Sequence, residues 1–441
     1  MIKYILCFMV LSVNIFPVQY NKGVKVMNQK IYTTEVEKLF STINDTQTDE
    51  QIFDVFNTWR DTLHVYPSIE GDVVTFIYLD TGKNATSVSL TSAINNFATN
   101  DYLYQYKKTP VYYKSYHYNN IDSVSYYFTI IDGKKVTIKK DDYNKNITLD
   151  KLRSNVVRKP GSNKPAIQAI FNIRPDIIST KNVERDIYIY LPPSYFNAPD
   201  KKYPVLYMHD GQNIFDTPTA NFGGWKIDTK ATELINANAI PELIIVGIEN
   251  TSKRKEEYVG FSTLYKYDQT GKEEYVAESK RFTDNYVDFI VHKVKPLIDT
   301  HYRTLPDREN TAIAGSSFGA GVSLFIGYSY PEIFSKIGAL SYGNYNPNVG
   351  QWSDRPFWIT EYLLDKVITQ KQDLQIYLDC GKLDVDSIFY PQAIIMNEGL
   401  QKIGFTSNKD LLFILDEKRG HNEKAWAERM EQFLLFFYGT K

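Results

Sequence analysis

Residues 310–329 read NTAIAGSSFGAGVSLFIGYS. Ala312–Ala314 continue a short apolar run that reads as a buried strand, and Ala320–Tyr328 read as a helix. Between them lies Gly315-Ser316-Ser317-Phe318-Gly319, a G-x-S-x-G with Ser317 at its centre. A serine on so sharp a strand-to-helix turn has a strained backbone. It needs glycine on both sides because strand and helix pass close together. The turn lifts the hydroxyl clear of the sheet, where a nucleophile belongs. Ser316 is one residue out of register. An idle serine in a tight turn could carry the same five letters, but the flanking strand and helix favour the nucleophile.

A serine hydroxyl attacks only if a base takes its proton. When a serine sits on this kind of turn, the acid and then the histidine follow it along the chain. The six histidines are His64, His117, His209, His292, His301 and His421, and His421 alone follows Ser317. It stands in Arg419-Gly420-His421-Asn422, after the strand-like LLFIL and before the last helical pattern. The acid that orients the imidazole is expected after the preceding strand, LQIYLDC, in Gly381-Lys382-Leu383-Asp384-Val385-Asp386. Asp384 is the expected acid and Asp386 the alternative; either could instead be a plain turn residue. A tetrahedral oxyanion requires two backbone N–H donors. One is expected from Phe318. The other is expected from the loop after YPVLYM, His209-Asp210-Gly211-Gln212-Asn213, through Gln212 or Asn213. With His421 as the base, His209 is left to pack or brace that loop.

Outward from this region, Arg185–Leu191, Tyr203–Met208, Glu242–Ile248, Lys336–Ser341, Leu374–Cys380 and Leu411–Leu415 read as strands. Tyr286–Ile298, Gly319–Ser329 and Asn422–Phe437 read as helices. Apolar strands alternating with helices give an α/β domain, a mainly parallel sheet covered on both faces. The N-terminal part differs. Residues 49–64 carry apolar side chains at helical spacing, and from Tyr66 the pattern switches to period two, with Asp132-Gly133 as a hairpin turn. Short strands with turns between them predict a small all-β sandwich. A polar stretch over 141–165 separates the two patterns. The expected division is a signal over 1–22, a helical segment over 23–65, the sandwich over 66–150, a linker over 151–175 and the α/β domain over 176–441.

Several stretches together resemble one family: RDIYIYLPPSY, YPVLYMHDGQNIFD, GGW at 223–225, IIVGIEN, RKEEY at 254–258, AGSSFGAG, YLDCGKLDVD and GHNEKAW. They are similar to the esterase family that includes esterase D, the enterochelin esterases, and the feruloyl and acetylxylan esterases. The resemblance spans residues 185–440 and implies an α/β-hydrolase fold. It also implies a serine esterase with Ser317, Asp384 and His421 as triad and Phe318 and Gln212 as oxyanion donors. Arg254 and Tyr258 fall on the family's R-x-x-E-Y segment, near the pocket. Trp225, Asn344 and Tyr345 are candidate substrate-binding residues by loop position, as is Asn213. PSIEGDVVTFIYL and YYFTIIDGKKV resemble the immunoglobulin-like domain that precedes enterochelin-esterase-type catalytic domains. Ala320 departs from the second glycine that many relatives carry after the motif. A helix start accepts alanine readily.

Lys3 followed by the apolar Tyr4–Val18 reads as an export signal, too short to span a membrane comfortably, with an uncleaved anchor as the rival reading. Loss of Cys7 with that signal leaves Cys380 alone, so no intramolecular disulfide is expected. Export without disulfides fits a bacterial periplasm or secretion. A net charge of −2 without a basic stripe gives no reason to expect a nucleic acid partner. Membrane contact is expected only through the signal. No zinc-type ligand spacing is present, so neither metal nor other cofactor is expected. Aromatic residues make up 15% of the chain, with 34 tyrosines, which suits sugar or aryl recognition as well as sheet surfaces. A small-molecule or oligosaccharide ester is the expected partner: feruloyl or acetyl esters of plant polysaccharide, or alternatively an enterochelin-type siderophore ester. From another class, the same fold could serve as a non-catalytic glycan- or ligand-binding protein. Tyr112, Tyr113, Tyr116, Tyr126 and Tyr127 would then be a possible stacking face.

Overall fold

The computed structural model describes residues 32–63, 66–82, 84–95, 97–117, 124–148, 154–159, 161–173, 184–216, 223–262, 273–343 and 358–440. The expected signal over 1–22 lies outside the described residues. The described residues form two compact units, one within 32–124 and 128–137 and the other within 125–127 and 138–440.

In the first unit, Thr34–Thr42 and Asp49–Asp61 are helices. The second opens with a capping box between Thr48 and Gln51 and buries Ile52, Phe56 and Trp59. One antiparallel sheet orders Ser68–Glu70, Val73–Leu79, Val111–His117 and Tyr104–Gln105 side by side. Residues 128–132 and 135–137 of this unit form a hairpin through the Asp132-Gly133 turn, with Gly133 at φ 55°, in one sheet with Ser87–Ser92. Tyr78 and Phe128 meet between the sheets, ring centroids 5.3 Å apart. The tyrosines do not make an open stacking face. Tyr112, Tyr116 and Tyr126 are buried, and Tyr113 packs under Phe40 of the first helix at 4.8 Å.

The second unit is built on eight strands: β1 (Ala166–Ile173), β2 (Arg185–Leu191), β3 (Val205–His209), β4 (Ile244–Ile248), β5 (Thr311–Ser316), β6 (Lys336–Leu340), β7 (Gln375–Gly381) and β8 (Leu411–Asp416). Their order is β8-β7-β6-β5-β3-β4-β2-β1. Strand β2 is antiparallel to both neighbours, and β3 through β8 are parallel. Strand β1 corrects the expected linker over 151–175: Ala166–Ile173 pairs with β2 and belongs to the sheet. The main helices are α1 (Ile227–Asn236), α2 (Arg254–Val259), α3 (Glu273–Asp288), α4 (Lys295–His301), α5 (Phe318–Ser329), α6 (Trp358–Tyr362), α7 (Asp386–Lys402) and α8 (Glu423–Tyr438).

The central strands are apolar without alternation because both faces are covered. Tyr207, Val246, Ile313 and Ile337 pack with residues of α3, α5 and α7 on one face. Leu206, Met208, Ile245 and Ala314 pack with α1 and α8 on the other. This is the α/β-hydrolase arrangement expected from the sequence. It gathers the loops after β3, β5, β7 and β8 at the carboxyl ends of the parallel strands, where such sheets bind ligands.

Candidate active site

Strand β5 ends at Ser316 and α5 begins at Phe318, so Ser317 alone makes the turn. Its backbone stands at φ 60°, ψ −124°, a conformation that costs a non-glycine residue of order 1–3 kcal/mol. Strain of this size persists because the surroundings determine it. The Ser317 N–H donates to the Leu340 carbonyl at 3.0 Å, and the Ser317 carbonyl accepts from Ala320 N–H. The two motif glycines differ in role. A Cβ on Gly315 would lie 2.9 Å from the Gly319 carbonyl and from His209 Cδ2, closer than real side chains approach. A Cβ on Gly319 would meet nothing nearer than 3.5 Å. The requirement for glycine at both places therefore holds sterically only at Gly315.

His421 follows β8, and its Nδ1 lies 2.7 Å from Asp386 Oδ1. Of the two candidate acids, the structure brings the alternative, Asp386, and not Asp384 onto His421. Asp384 is exposed at φ 53°, and its carbonyl accepts from Ser387. Two residues later, the first turn of α7 carries Asp386 inward onto the face that buries Phe389, Ala393, Met396 and Leu400. Burial works to raise the Asp386 pKa, but the hydrogen bond and charge of His421 outweigh it. With further bonds from Ser341 Oγ (2.8 Å) and Gly381 N–H (2.9 Å), they hold the carboxyl below its ordinary value. Phe389 and Trp426 flank the imidazole edge-on, each with its ring centroid 5.2 Å away. Ser317 and His421 share no direct hydrogen bond among the described residues. Catalytic contacts of this kind often tighten only around a substrate.

The loop after β3 lies beside the serine turn: Gly319 faces His209 Cβ and the Asp210 carboxylate. Asp210 at φ 59° starts the loop, and Asn213 N–H donates back to the Asp210 carbonyl at 2.9 Å. The Asn213 amide is thus consumed in the turn. The N–H groups of Gln212 and Phe318 have no acceptor among the described residues, as oxyanion donors must. Gly211 packs backbone to backbone against Gly247, leaving no room for a Cβ. His209 braces the loop, as expected: it is fully buried, and its Nδ1 lies 2.7 Å from Tyr286 Oη. Burial pushes its pKa down to about 3, so the ring is neutral.

Most expected substrate-binding residues turn out to be supports. Arg254 forks the Asp210 carboxylate, Nε to Oδ1 at 2.7 Å and Nη2 to Oδ2 at 2.8 Å, and stays partly exposed. Tyr258 is completely buried beneath it, 3.3 Å from Asp210 Oδ1. Trp225 is buried against Trp426 with ring centroids 5.1 Å apart. The Asn213 side chain donates to Glu423 Oε1 at 2.6 Å, and Gln212 Oε1 accepts from Asn250 N–H at 3.1 Å. Asn344 and Tyr345 lie outside the described residues. The sequence reading missed Ser341 and Arg429, whose contacts reach the acid from behind. Cys380 is a buried free thiol in β7. Among the described residues, no group of three or more His, Cys, Asp or Glu side chains converges to hold a metal ion.

A family model described as Putative esterase matches residues 178–435. The uncharacterized protein YbbA of Bacillus subtilis (strain 168) is 24% identical over 267 residues, covering 58% of this chain and 93% of that protein. An endo-1,4-beta-xylanase/feruloyl esterase of Xylanibacter ruminicola is 28% identical over 252 residues, covering 55% of this chain and 28% of that longer protein. Among solved structures, a ferulic acid esterase aligns with a TM-score of 0.43 at 20% identity, covering 62% of this chain and 98% of that one. The enterobactin esterase of Shigella flexneri with enterobactin aligns with a TM-score of 0.46 at 15% identity, covering 86% of this chain and 97% of that one.

Proposed function

Since the chain belongs to the Putative esterase family, matched over residues 178–435, we propose that it is an exported serine carboxylester hydrolase removing feruloyl or acetyl groups from plant polysaccharide or its oligosaccharides. The observation that carries the reading is the Asp386–His421 pair at 2.7 Å, in chain order behind a serine held at φ 60°. Ser317 Oγ attacks the ester carbonyl as His421 Nε2 takes its proton. The oxyanion settles on the N–H groups of Phe318 and Gln212. His421 returns the proton to the leaving alcohol, and an acyl-enzyme forms. Water then attacks that acyl group, passing a proton through His421 back to Ser317. Asp386 stays ionised throughout and stabilises the imidazolium. A polysaccharide ester is favoured by the similarity to the Xylanibacter ruminicola protein, whose name joins a xylanase to a feruloyl esterase. Export rests on Lys3 and the apolar Tyr4–Val18.

The test is hydrolysis of p-nitrophenyl acetate by the wild type and by Ser317→Ala. Methyl ferulate, acetylated xylan and a catecholate siderophore lactone follow. A loss of several orders of magnitude in Ser317→Ala is expected, with methyl ferulate or acetylated xylan turned over fastest. Fastest turnover of the siderophore lactone would move the substrate class while leaving the site intact. Equal activity in both proteins, or none in either, would sink the triad and bring forward a ligand-binding role on the same fold.

A further inference from the structure

Ser341 follows the last residue of β6, is completely buried, and has its backbone at φ 42°. Its N–H donates to Asp379 Oδ1 at 2.7 Å. Its hydroxyl oxygen lies 2.8 Å from each of three groups: Trp426 Nε1, Arg429 Nη2 and Asp386 Oδ2. An indole N–H and a guanidinium can only donate, and a serine oxygen accepts at two lone pairs. Both lone pairs are therefore taken, and the single hydroxyl proton must point at Asp386. Oδ2 of Asp386 also accepts from Gly381 N–H at 2.9 Å. One carboxylate oxygen is thus fixed by two donors, and the other is left to accept from His421 Nδ1. The imidazole proton then sits on Nδ1, and Nε2 is bare, as a base toward Ser317 requires.

The residue before Ser341 grips the nucleophile: the Leu340 carbonyl accepts the Ser317 N–H. Behind the hydroxyl, Arg429 Nε lies 3.3 Å from Asp379 Oδ2, in a buried ion pair that keeps the guanidinium charged and aimed. We propose that Ser341 is a positioning residue for the Asp386–His421 pair, its hydroxyl proton committed to one carboxylate oxygen so that the acid's rotamer and the base's tautomer are both set. The proposal rests on the reading of Ser317, Asp386 and His421 as the reacting groups.

The full chain carrying Ser341→Gly tests it. Glycine suits φ 42° and deletes the hydroxyl without straining the backbone. With p-nitrophenyl acetate, kcat is expected to fall about 10–100-fold, the scale of loss when the hydrogen-bond partner that orients a metal-bound histidine is removed. KM is expected to stay within about twofold, because no substrate contact is removed. The downfield proton resonance of His421 Nδ1–H should weaken or move. A hydroxyl of merely structural value would lower Tm and move neither of these. A kcat within about twofold of wild type, with an unchanged Nδ1–H resonance, overturns the proposal. Should Ser341→Gly not fold, Ser341→Cys keeps a side chain of the same shape, slightly larger, and exchanges a strong donor for a weak one, and it is judged by the same two readouts. Ser317→Ala runs alongside. If wild type is inactive or Ser317→Ala matches it, the reading of the site fails, and the Nδ1–H resonance still decides the role of Ser341. If Ser317→Ala is inactive while Ser341→Gly is unimpaired, only the positioning role falls.

Discussion

Replacing Asp386 with asparagine should cost far more than its size suggests, and the hydrogen bonds show why. Asp386 accepts three donors: His421 Nδ1–H on Oδ1, and Ser341 Oγ–H and Gly381 N–H on Oδ2. An asparagine has one acceptor oxygen. Two donors converge on the Oδ2 position, so the amide oxygen settles there and its NH2 turns toward His421. Nδ1 must then accept, and the ring proton moves to Nε2, where it blocks proton removal from Ser317. A forced tautomer of this kind lowers kcat by roughly 10⁴-fold in the serine-protease template. That equals about 5.4 kcal/mol of transition-state stabilisation at about 1.36 kcal/mol per tenfold. Folding should survive, since Ser341 and Gly381 keep their acceptor. Asp384→Asn is the control: it is exposed at φ 53°, a conformation asparagine adopts readily, and kcat/KM should stay within about twofold. The assay is p-nitrophenyl acetate hydrolysis by both variants, with circular dichroism to confirm the fold. Orders of magnitude lost in Asp384→Asn and none in Asp386→Asn would refute the assignment of the acid.

Gly315→Ala drives a methyl into the Gly319 carbonyl and His209, so a loss of about 1–3 kcal/mol and a fall of about 100-fold in kcat/KM from a displaced Ser317 are expected. Gly319→Ala, whose Cβ would meet its neighbours only at ordinary contact distances of 3.5 Å or more, should leave both nearly unchanged; equal effects in thermal melts and kinetics would contradict the steric account. Glu257→Ala strips the partner from buried Arg185, 2.7 Å away, and should cost roughly 3–5 kcal/mol by urea unfolding. His209 supplies a pH dependence: its folded pKa of about 3 lies below the ordinary value of about 6.5. Stability on its account is complete above pH 6.5 and declines as the unfolded chain takes up a proton, by about 2 kcal/mol at pH 5. His209→Gln should be less stable at pH 7 yet lose about 2 kcal/mol less between pH 7 and pH 5; an unchanged pH slope in urea titrations would count against a neutral buried ring.

The strand–turn–helix around Ser317 could be read from sequence because its signals are local: an apolar run, a glycine that alone fits, and a helix of the expected length. His421 was legible by elimination, since no other histidine follows the serine. Asp386 was harder. Leu383 and Val385 are apolar yet exposed, while Asp386, the first residue of α7, is buried, so polarity along this stretch points the wrong way. The legible signal was the helix itself. Asp386, Phe389, Ala393, Met396 and Leu400 recur at helical spacing, which puts the aspartate on the inward face. Pro391 and Gly399, both inside α7, obscure that helix. Ser341 gave no local sign, because its role comes from donors on α8, some 85 residues away in sequence.

Three of the residues expected at the pocket make supporting contacts for a common reason, and the reason bears on how the site works. Arg254, Tyr258 and Trp225 were placed at the pocket from loop position and family pattern, and proximity to the pocket is what such signals report. A large side chain near a small reacting centre can touch the ligand or hold what touches it, and sequence does not separate the two. Here the burial of Tyr258 and Trp225 and the fork of Arg254 on Asp210 decide for holding. The loop that carries Gln212 N–H is gripped on three sides. Arg254 and Asn250 hold the Asp210 carboxylate, Asn250 N–H holds the Gln212 side chain, and Gly211 lies flat against Gly247. Electrostatic stabilisation depends on donors that need no reorganisation as charge develops. A backbone donor on a loop meets that condition only if the loop is rigid. The charged residues beside this site immobilise the backbone that carries the Gln212 N–H, which is the condition the proposed oxyanion donor has to meet.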